Sequence, residues 1–159
     1  MSTHAQDTTS DPLSTEVDVV VGADDLLPID ETHLAELVGF SLQALGATGH
    51  WSVAVVLTSD EHLRQLHRDY MGIDEETDVM TFPHGDEPGG DIVISVERAA
   101  EQAGDYGHDT GEEIDFLAVH GVLHLSGWDD NTPDRRAEML SRQAEIIDAY
   151  AAERDAPSG

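Results

Sequence analysis

The sequence predicts an α+β domain in which a small mixed β-sheet packs with about five helices. Short β-branched runs alternate along the chain with longer segments whose apolar residues recur at helical spacing. The chain has 159 residues, 39% of them hydrophobic, which is enough for one core, and no repeat or linker divides it. We therefore expect one folded domain over residues 15–154.

The first part of the chain predicts a strand and then a helix. Residues 1–14 are polar and are expected to form a disordered tail, and residues 17–21 are expected to form the first strand. After a break at Pro28, leucines at helical spacing predict a helix from an N-cap at Asp30 to Leu45.

The middle of the chain is richest in predicted strands. Residues 51–57 are apolar and β-branched, which predicts a buried strand, and a helix is expected from residue 59 or 60 to about Tyr70. Two short strands follow at residues 78–82 and 91–95, joined by turn residues that we expect to form a mobile loop.

Three helices are predicted in the last third. Ser95 caps a short helix, and Thr110 opens the next one in a capping box with Glu113. The many apolar residues within this second helix predict that it is buried and central. A final helix is expected over residues 132–153, before a polar tail at residues 155–159.

Residues 120–130 read His-Gly-Val-Leu-His-Leu-Ser-Gly-Trp-Asp-Asp, a string that predicts a metal site on the central helix. Two histidines four positions apart are separated by about 400° of rotation and about 6 Å of rise, so they project from one face. Gly127 permits a left-handed turn that returns Asp130 to the same point. His120, His124 and Asp130 would leave one open position on an ion, as in catalytic zinc sites.

A zinc peptidase is one alternative that this string leaves open. Zinc proteases carry the related pattern His-Glu-x-x-His-x-x-Gly-x-x-His. Gly121 stands where those proteases carry the glutamate that acts as general base. A peptidase built on this site would therefore need another base.

Three blocks of the chain resemble the YbeY-type endoribonucleases, zinc-dependent enzymes that take part in ribosomal RNA maturation. The metal string is similar to their signature His-Gly-x-Leu-His-Leu-x-Gly-Tyr-Asp-His, which also has glycine after the first histidine. Residues 77–83, Thr-Asp-Val-Met-Thr-Phe-Pro, and residues 90–95, Gly-Asp-Ile-Val-Ile-Ser, resemble two strands of the family. The resemblance covers roughly residues 60–130.

This resemblance implies a zinc-dependent endoribonuclease with one ion per chain, which cleaves single-stranded RNA in ribosomal RNA maturation and ribosome quality control. The implied partner is RNA, as ribosomal RNA or the ribosome, and neither DNA nor a membrane is expected. The aligned third ligand is Asp130 where the family usually has histidine, and it brings negative charge to the ion. Met71 replaces a family arginine, and Arg68 is the candidate catalytic substitute.

Met71 also keeps a third hypothesis open, a ribosome-associated protein whose zinc stabilises the fold and whose nuclease activity is weak. No general base stands out in the sequence. Asp78 and Asp91 lie at strand edges, where either could hold the outer nitrogen of a ligand histidine. Either could instead bond backbone amides in a turn, which is the interpretation that we favour.

The charge of the chain is its second unusual feature. Against 34 acidic residues it has 7 basic ones, all arginines, and the net charge is −27. Adaptation to molar salt accounts for this composition, since at about 1 M the Debye length falls to about 3 Å and self-repulsion is screened. Cysteine is absent, which excludes disulfides and thiolate ligands, and the lack of a signal peptide or long apolar run predicts a cytoplasmic protein.

Such a charge conflicts with an RNA substrate, because RNA is itself a polyanion. Binding would have to depend on a few local arginines, on a metal–phosphate contact and on base stacking, which is insensitive to salt. The candidate arginines are Arg64, Arg68, Arg98, Arg135 and Arg136. Pairing with nearby carboxylates is an equally good interpretation of each of them.

Overall fold

The computed structural model describes residues 12–22, 29–72 and 77–155. Within these ranges, four strands and five helices follow one another in the predicted order. The strands are β1 (Ser14–Val21), β2 (His50–Thr58), β3 (Val79–Pro83) and β4 (Gly89–Ser95). The helices are α1 (Glu31–Ala44), α2 (Asp60–Met71), α3 (Val96–Tyr106), α4 (Thr110–Leu125) and α5 (Pro133–Asp155).

The strands form one mixed sheet in the order β1-β2-β4-β3. The pairs β1–β2 and β2–β4 are parallel, whereas β3 runs antiparallel to β4. Val55 of β2 is fully buried and lies opposite Ile92 of β4, at the centre of the sheet. The predicted α+β fold with a small mixed sheet is therefore confirmed.

Helix α4 lies at the centre of the molecule, where it packs against β3 and β4 of the sheet and against α1, α3 and α5. Its residues Leu117 and Val122 belong to an apolar cluster with β2 and β4, whereas Val119 and Leu123 belong to a second cluster with α5. Close approach to the sheet requires glycine at one point of α4. A Cβ atom on Gly121 would lie 2.6 Å from Cγ2 of Ile92.

Regular structure extends one residue beyond each end of the predicted domain, residues 15–154, and β1 begins three residues before the predicted strand 17–21. Ser14, assigned above to the tail, begins β1, because its amide N–H donates to the carbonyl O of Gly49 at 2.9 Å. At the other end, Asp155 still belongs to α5. The predicted tail up to residue 11, the break at Pro28 and the final residues 156–159 lie outside the described residues.

The capping box of α4 differs from the predicted one. Asp109, not Thr110, is the N-cap, and its side chain accepts from the amide of Glu112 at 2.8 Å. The Glu112 side chain in turn accepts from the amide of Asp109 at 3.0 Å. Glu113 is thereby left to point inward, where its buried carboxylate bonds Nε2 of His108 at 2.6 Å.

None of the helices in the described part of the chain combines the length and the apolar character that a membrane-crossing helix needs.

Candidate metal centre

The histidines of α4 meet the aspartate that follows the helix. Nε2 of His120 lies 3.1 Å from Nε2 of His124. Oδ2 of Asp130 lies 3.7 Å from the first of these nitrogens and 3.9 Å from the second. Gly127, with φ of 99°, makes the left-handed turn that returns the chain, as the sequence predicts.

The outer nitrogen of each imidazole is held by a partner that accepts a hydrogen bond. Nδ1 of His124 donates to the carbonyl O of Trp128 at 3.1 Å. Nδ1 of His120 lies 3.0 Å from Oε1 of Gln143, whose Nε2 donates to the carbonyl O of Phe116 at 3.1 Å. Since that carbonyl only accepts, the carboxamide must turn its oxygen to His120, and this ring too is protonated on Nδ1.

This hydrogen bonding leaves both Nε2 atoms unprotonated, and their lone pairs face each other. Two acceptors at 3.1 Å repel unless a cation lies between them. A tetrahedral zinc ion with Zn–N bonds of about 2.0–2.1 Å would separate two ligand nitrogens by roughly 3.3 Å. The donor set of His120, His124 and Asp130 therefore fits a divalent metal, and their ligand atoms lie within 4.8 Å of one another.

Burial favours the neutral form of the His120 imidazole, which is the form that binds a metal. It lowers the pKa of His120 from the ordinary value of 6.5, and the hydrogen bond to Gln143 opposes this effect only in part. The ring is therefore neutral at pH 7, as a metal ligand must be. On the outer side, Nη1 of Arg136 lies 3.6 Å from Oδ2 of Asp130 and adds a positive charge beside the carboxylate.

The cluster opens into a cleft of about 890 Å³ that α2, α3, α4, α5 and β3 surround. Along α4 the cleft extends from the buried Glu113 to His124. Tyr106 of α3 forms part of its wall with 72% of its surface exposed. The cleft can thus admit an extended chain beside the three ligand groups.

Comparison with known proteins places this chain in a family. The family model described as endoribonuclease YbeY matches residues 24–151. The chain belongs to the YbeY family. It is 39% identical over 147 residues to the endoribonuclease YbeY of Brevibacillus brevis, a match that covers 79% of this chain and 91% of the relative. The endoribonuclease YbeY of Listeria monocytogenes is 35% identical over 158 residues, 87% of this chain and 98% of that protein.

A solved structure supports the fold. The solution structure of a Thermotoga maritima protein matches with a TM-score of 0.56 and 21% identity, covering 91% of this chain and 99% of the other. The predicted membership of the YbeY family is confirmed, and with it the prediction of an endoribonuclease, a hydrolase of RNA phosphodiester bonds.

The structure separates the two aspartates that were candidates for orienting the histidines of the cluster. Asp78 lies in the cleft, where it accepts from Nε2 of Gln102 at 3.2 Å. Asp91 bonds Nε2 of His84 at 3.2 Å, in the β3–β4 hairpin. Neither takes the outer nitrogen of a ligand histidine, because Gln143 and the Trp128 carbonyl occupy those positions.

Arg68, the candidate substitute for the family arginine, lies apart from the cluster. Its side chain is half exposed and its Nε lies 3.7 Å from Oδ1 of Asp69. Met71, in contrast, lines the cleft with 61% of its surface exposed. Position 71 thus presents a thioether, not a guanidinium, to the cleft.

Several contributors to the cleft were not identified as such from the sequence. Gln143 was not singled out, because a glutamine in an amphipathic helix carries no motif. Glu113 was interpreted as a cap, and its partner His108 was not considered. One sequence signal for Gln143 was available. It is a polar residue within the otherwise apolar stripe of α5 that carries Met139 and Ile146.

The peptidase alternative is opposed by the packing of α4. The position that would have to carry a general base is Gly121, which faces Ile92 and the sheet. A glutamate there would collide with Ile92 in the core, and this opposes a protease of the usual kind on this helix.

Proposed function

We propose that the chain is a zinc-dependent endoribonuclease that cleaves single-stranded RNA in ribosomal RNA maturation and ribosome quality control. The observation that carries this proposal is the pair of unprotonated Nε2 atoms 3.1 Å apart beside Asp130, at the wall of an open cleft in a YbeY-family chain. The proposed partners are ribosomal RNA and the ribosome.

His120, His124 and Asp130 would hold the ion. A zinc ion bound there supplies Lewis-acid chemistry, stabilising the negative charge that develops on a phosphate under attack. Gln143 and the Trp128 carbonyl keep both imidazoles in the tautomer that exposes Nε2. Asp130 reduces the net positive charge of the ligand set, which makes the site a weaker Lewis acid than one with three neutral ligands.

The cleft wall supports a single-stranded substrate. Stacking on an exposed aromatic ring needs an unpaired base, and Tyr106 offers such a ring within the cleft. Stacking also persists in concentrated salt, where the phosphate contacts of a basic protein would weaken. A chain with a net charge of −27 is suited to this mode of binding.

The test combines metal analysis with RNA cleavage in high salt. Wild type should contain about one zinc per chain and cleave a single-stranded oligoribonucleotide, and His120→Ala should lose both properties. His84→Ala is the matched control, since His84 lies in the β3–β4 hairpin and bonds Asp91 instead of lining the cleft. A wild type that binds no metal contradicts the proposal.

A second candidate function, a ribosome-associated protein with little catalysis, is favoured by Met71 at the cleft where a cation would bind phosphate. Wild type that binds zinc and ribosomes but leaves RNA intact under all metal loadings would support it. Loss of folding in His124→Ala would add to that support, because it indicates a structural ion.

A further inference from the structure

Arg136 is the one arginine among the described residues that line the cleft. It lies in the first part of α5, on the face that also carries Leu140 and Gln143, at positions i, i+4 and i+7. The helix that orients His120 through Gln143 therefore also directs a guanidinium toward the ligand cluster.

The contact that Arg136 makes leaves its donors available. Its Nη1 lies 3.6 Å from Oδ2 of Asp130, which is beyond hydrogen-bond length. The neighbouring Arg135 differs, since its Nη1 bonds Oδ2 of Asp129 at 2.8 Å and it does not line the cleft. The side chain of Arg136 is 59% exposed, so its planar fork can turn to a ligand in the cleft.

We propose that Arg136 binds a phosphodiester group of the RNA that enters the cleft, next to the metal ligands. This inference rests on the proposed endoribonuclease function. With a divalent ion, two neutral histidines and one carboxylate, the cluster carries a charge of about +1, and the guanidinium raises it to about +2. In a chain of net charge −27, this gives one local point that attracts an anionic phosphate.

The test measures binding of an uncleavable 2′-O-methyl oligoribonucleotide to zinc-loaded protein, by fluorescence anisotropy at one fixed salt concentration. Arg136→Ala should weaken binding about tenfold, the loss of a charge-assisted hydrogen bond. Arg136→Lys should weaken it by a smaller factor, about threefold, because lysine keeps the charge but not the bidentate fork. Arg135→Ala removes the same charge one residue away and should change binding less than twofold.

Zinc content and melting temperature are measured on every variant. Equal losses in Arg135→Ala and Arg136→Ala would indicate a general charge effect and would overturn the inference. Loss of zinc in Arg136→Ala would also overturn it, since Arg136 would then be a residue that positions Asp130. If wild type cleaves RNA and Arg136→Ala binds as tightly as wild type, the inference fails while the proposed function stands. If wild type neither binds nor cleaves RNA, both fail.

Discussion

The imidazole of His120 and the carboxamide of Gln143 are joined by a 3.0 Å hydrogen bond that crosses from α4 to α5. This bond places the proton of His120 on Nδ1, and it reaches across the fold between residues 23 positions apart. The availability of a lone pair on Nε2 of His120 for a metal ion therefore depends on the correct docking of α5.

Gln143→Leu should lower zinc affinity by about 10–100-fold while the ligands themselves remain, because His120 loses the acceptor that selects its tautomer. Competition with a chromophoric chelator measures the affinity. Gln102→Leu is the control, since Gln102 lies in the same cleft but bonds Asp78. Equal affinities in wild type and Gln143→Leu would contradict the orienting role.

Gly121→Ala should destabilise the fold by about 1–3 kcal/mol, because its Cβ would lie 2.6 Å from Ile92 in a packed core. Gly104→Ala is the matched helical control. A Cβ at Gly104 meets nothing within 4 Å, so this change should stabilise by about 0.5–1 kcal/mol. Urea unfolding in high salt measures both variants, and a stabilised Gly121→Ala would refute the packing argument.

Stability should change with pH through Asp115, whose carboxylate bonds Nε2 of His33 at 2.8 Å. Burial raises the pKa of Asp115 from the ordinary 3.8, and the bond to His33 offsets only part of that effect. The stabilising contribution of this group is therefore complete below pH 3.8 and is lost as the pH rises through the folded-state pKa.

The unfolding free energy of Asp115→Asn, relative to wild type, should accordingly increase between pH 3.5 and about pH 7. Denaturation series at matched salt measure the difference. Asp148→Asn serves as the control, because it makes the same substitution at an exposed position of α5. If the difference for Asp115→Asn is constant with pH, burial does not raise the pKa of the Asp115 carboxyl.

Tyr106→Ala should raise the KM for single-stranded RNA about tenfold, since stacking of one base on an aromatic ring is lost. Tyr106→Phe should behave as wild type, because the ring is retained. Tyr70→Ala is a matched control, as Tyr70 is 69% exposed but packs against Phe82. Identical KM values for wild type and Tyr106→Ala would exclude stacking at this wall.

Salt should stabilise this protein and should not abolish its binding to RNA. Raising KCl from about 0.1 M to about 2 M screens the self-repulsion of a chain with net charge −27, so the melting temperature should rise. RNA affinity should show a shallow or positive salt slope, unlike the steep fall of basic proteins. A melting temperature that falls with KCl would refute the predicted adaptation to molar salt.

Several features could be predicted because short-range rules decide them. Helical periodicity alone brings His120 and His124 to one face, and Gly127 permits the turn toward Asp130. Asp30 and Ser95 were recognised as caps because a cap is a contact between near neighbours in the chain. The predicted N-cap of α4 was wrong by one residue. Asp109 and Thr110 are both acceptable N-caps, and only backbone geometry distinguishes them.

Contacts between distant residues were decided only by the tertiary structure. The pairing of β2 with β4, the approach of Gly121 to Ile92 and the bond from Gln143 to His120 each join different elements. Periodicity predicts which face of a helix is buried but not which element covers it. The sequence therefore determined which residues are candidate metal ligands, whereas the packing of α3, α4 and α5 decided the tautomers, the cleft and the position of Arg136.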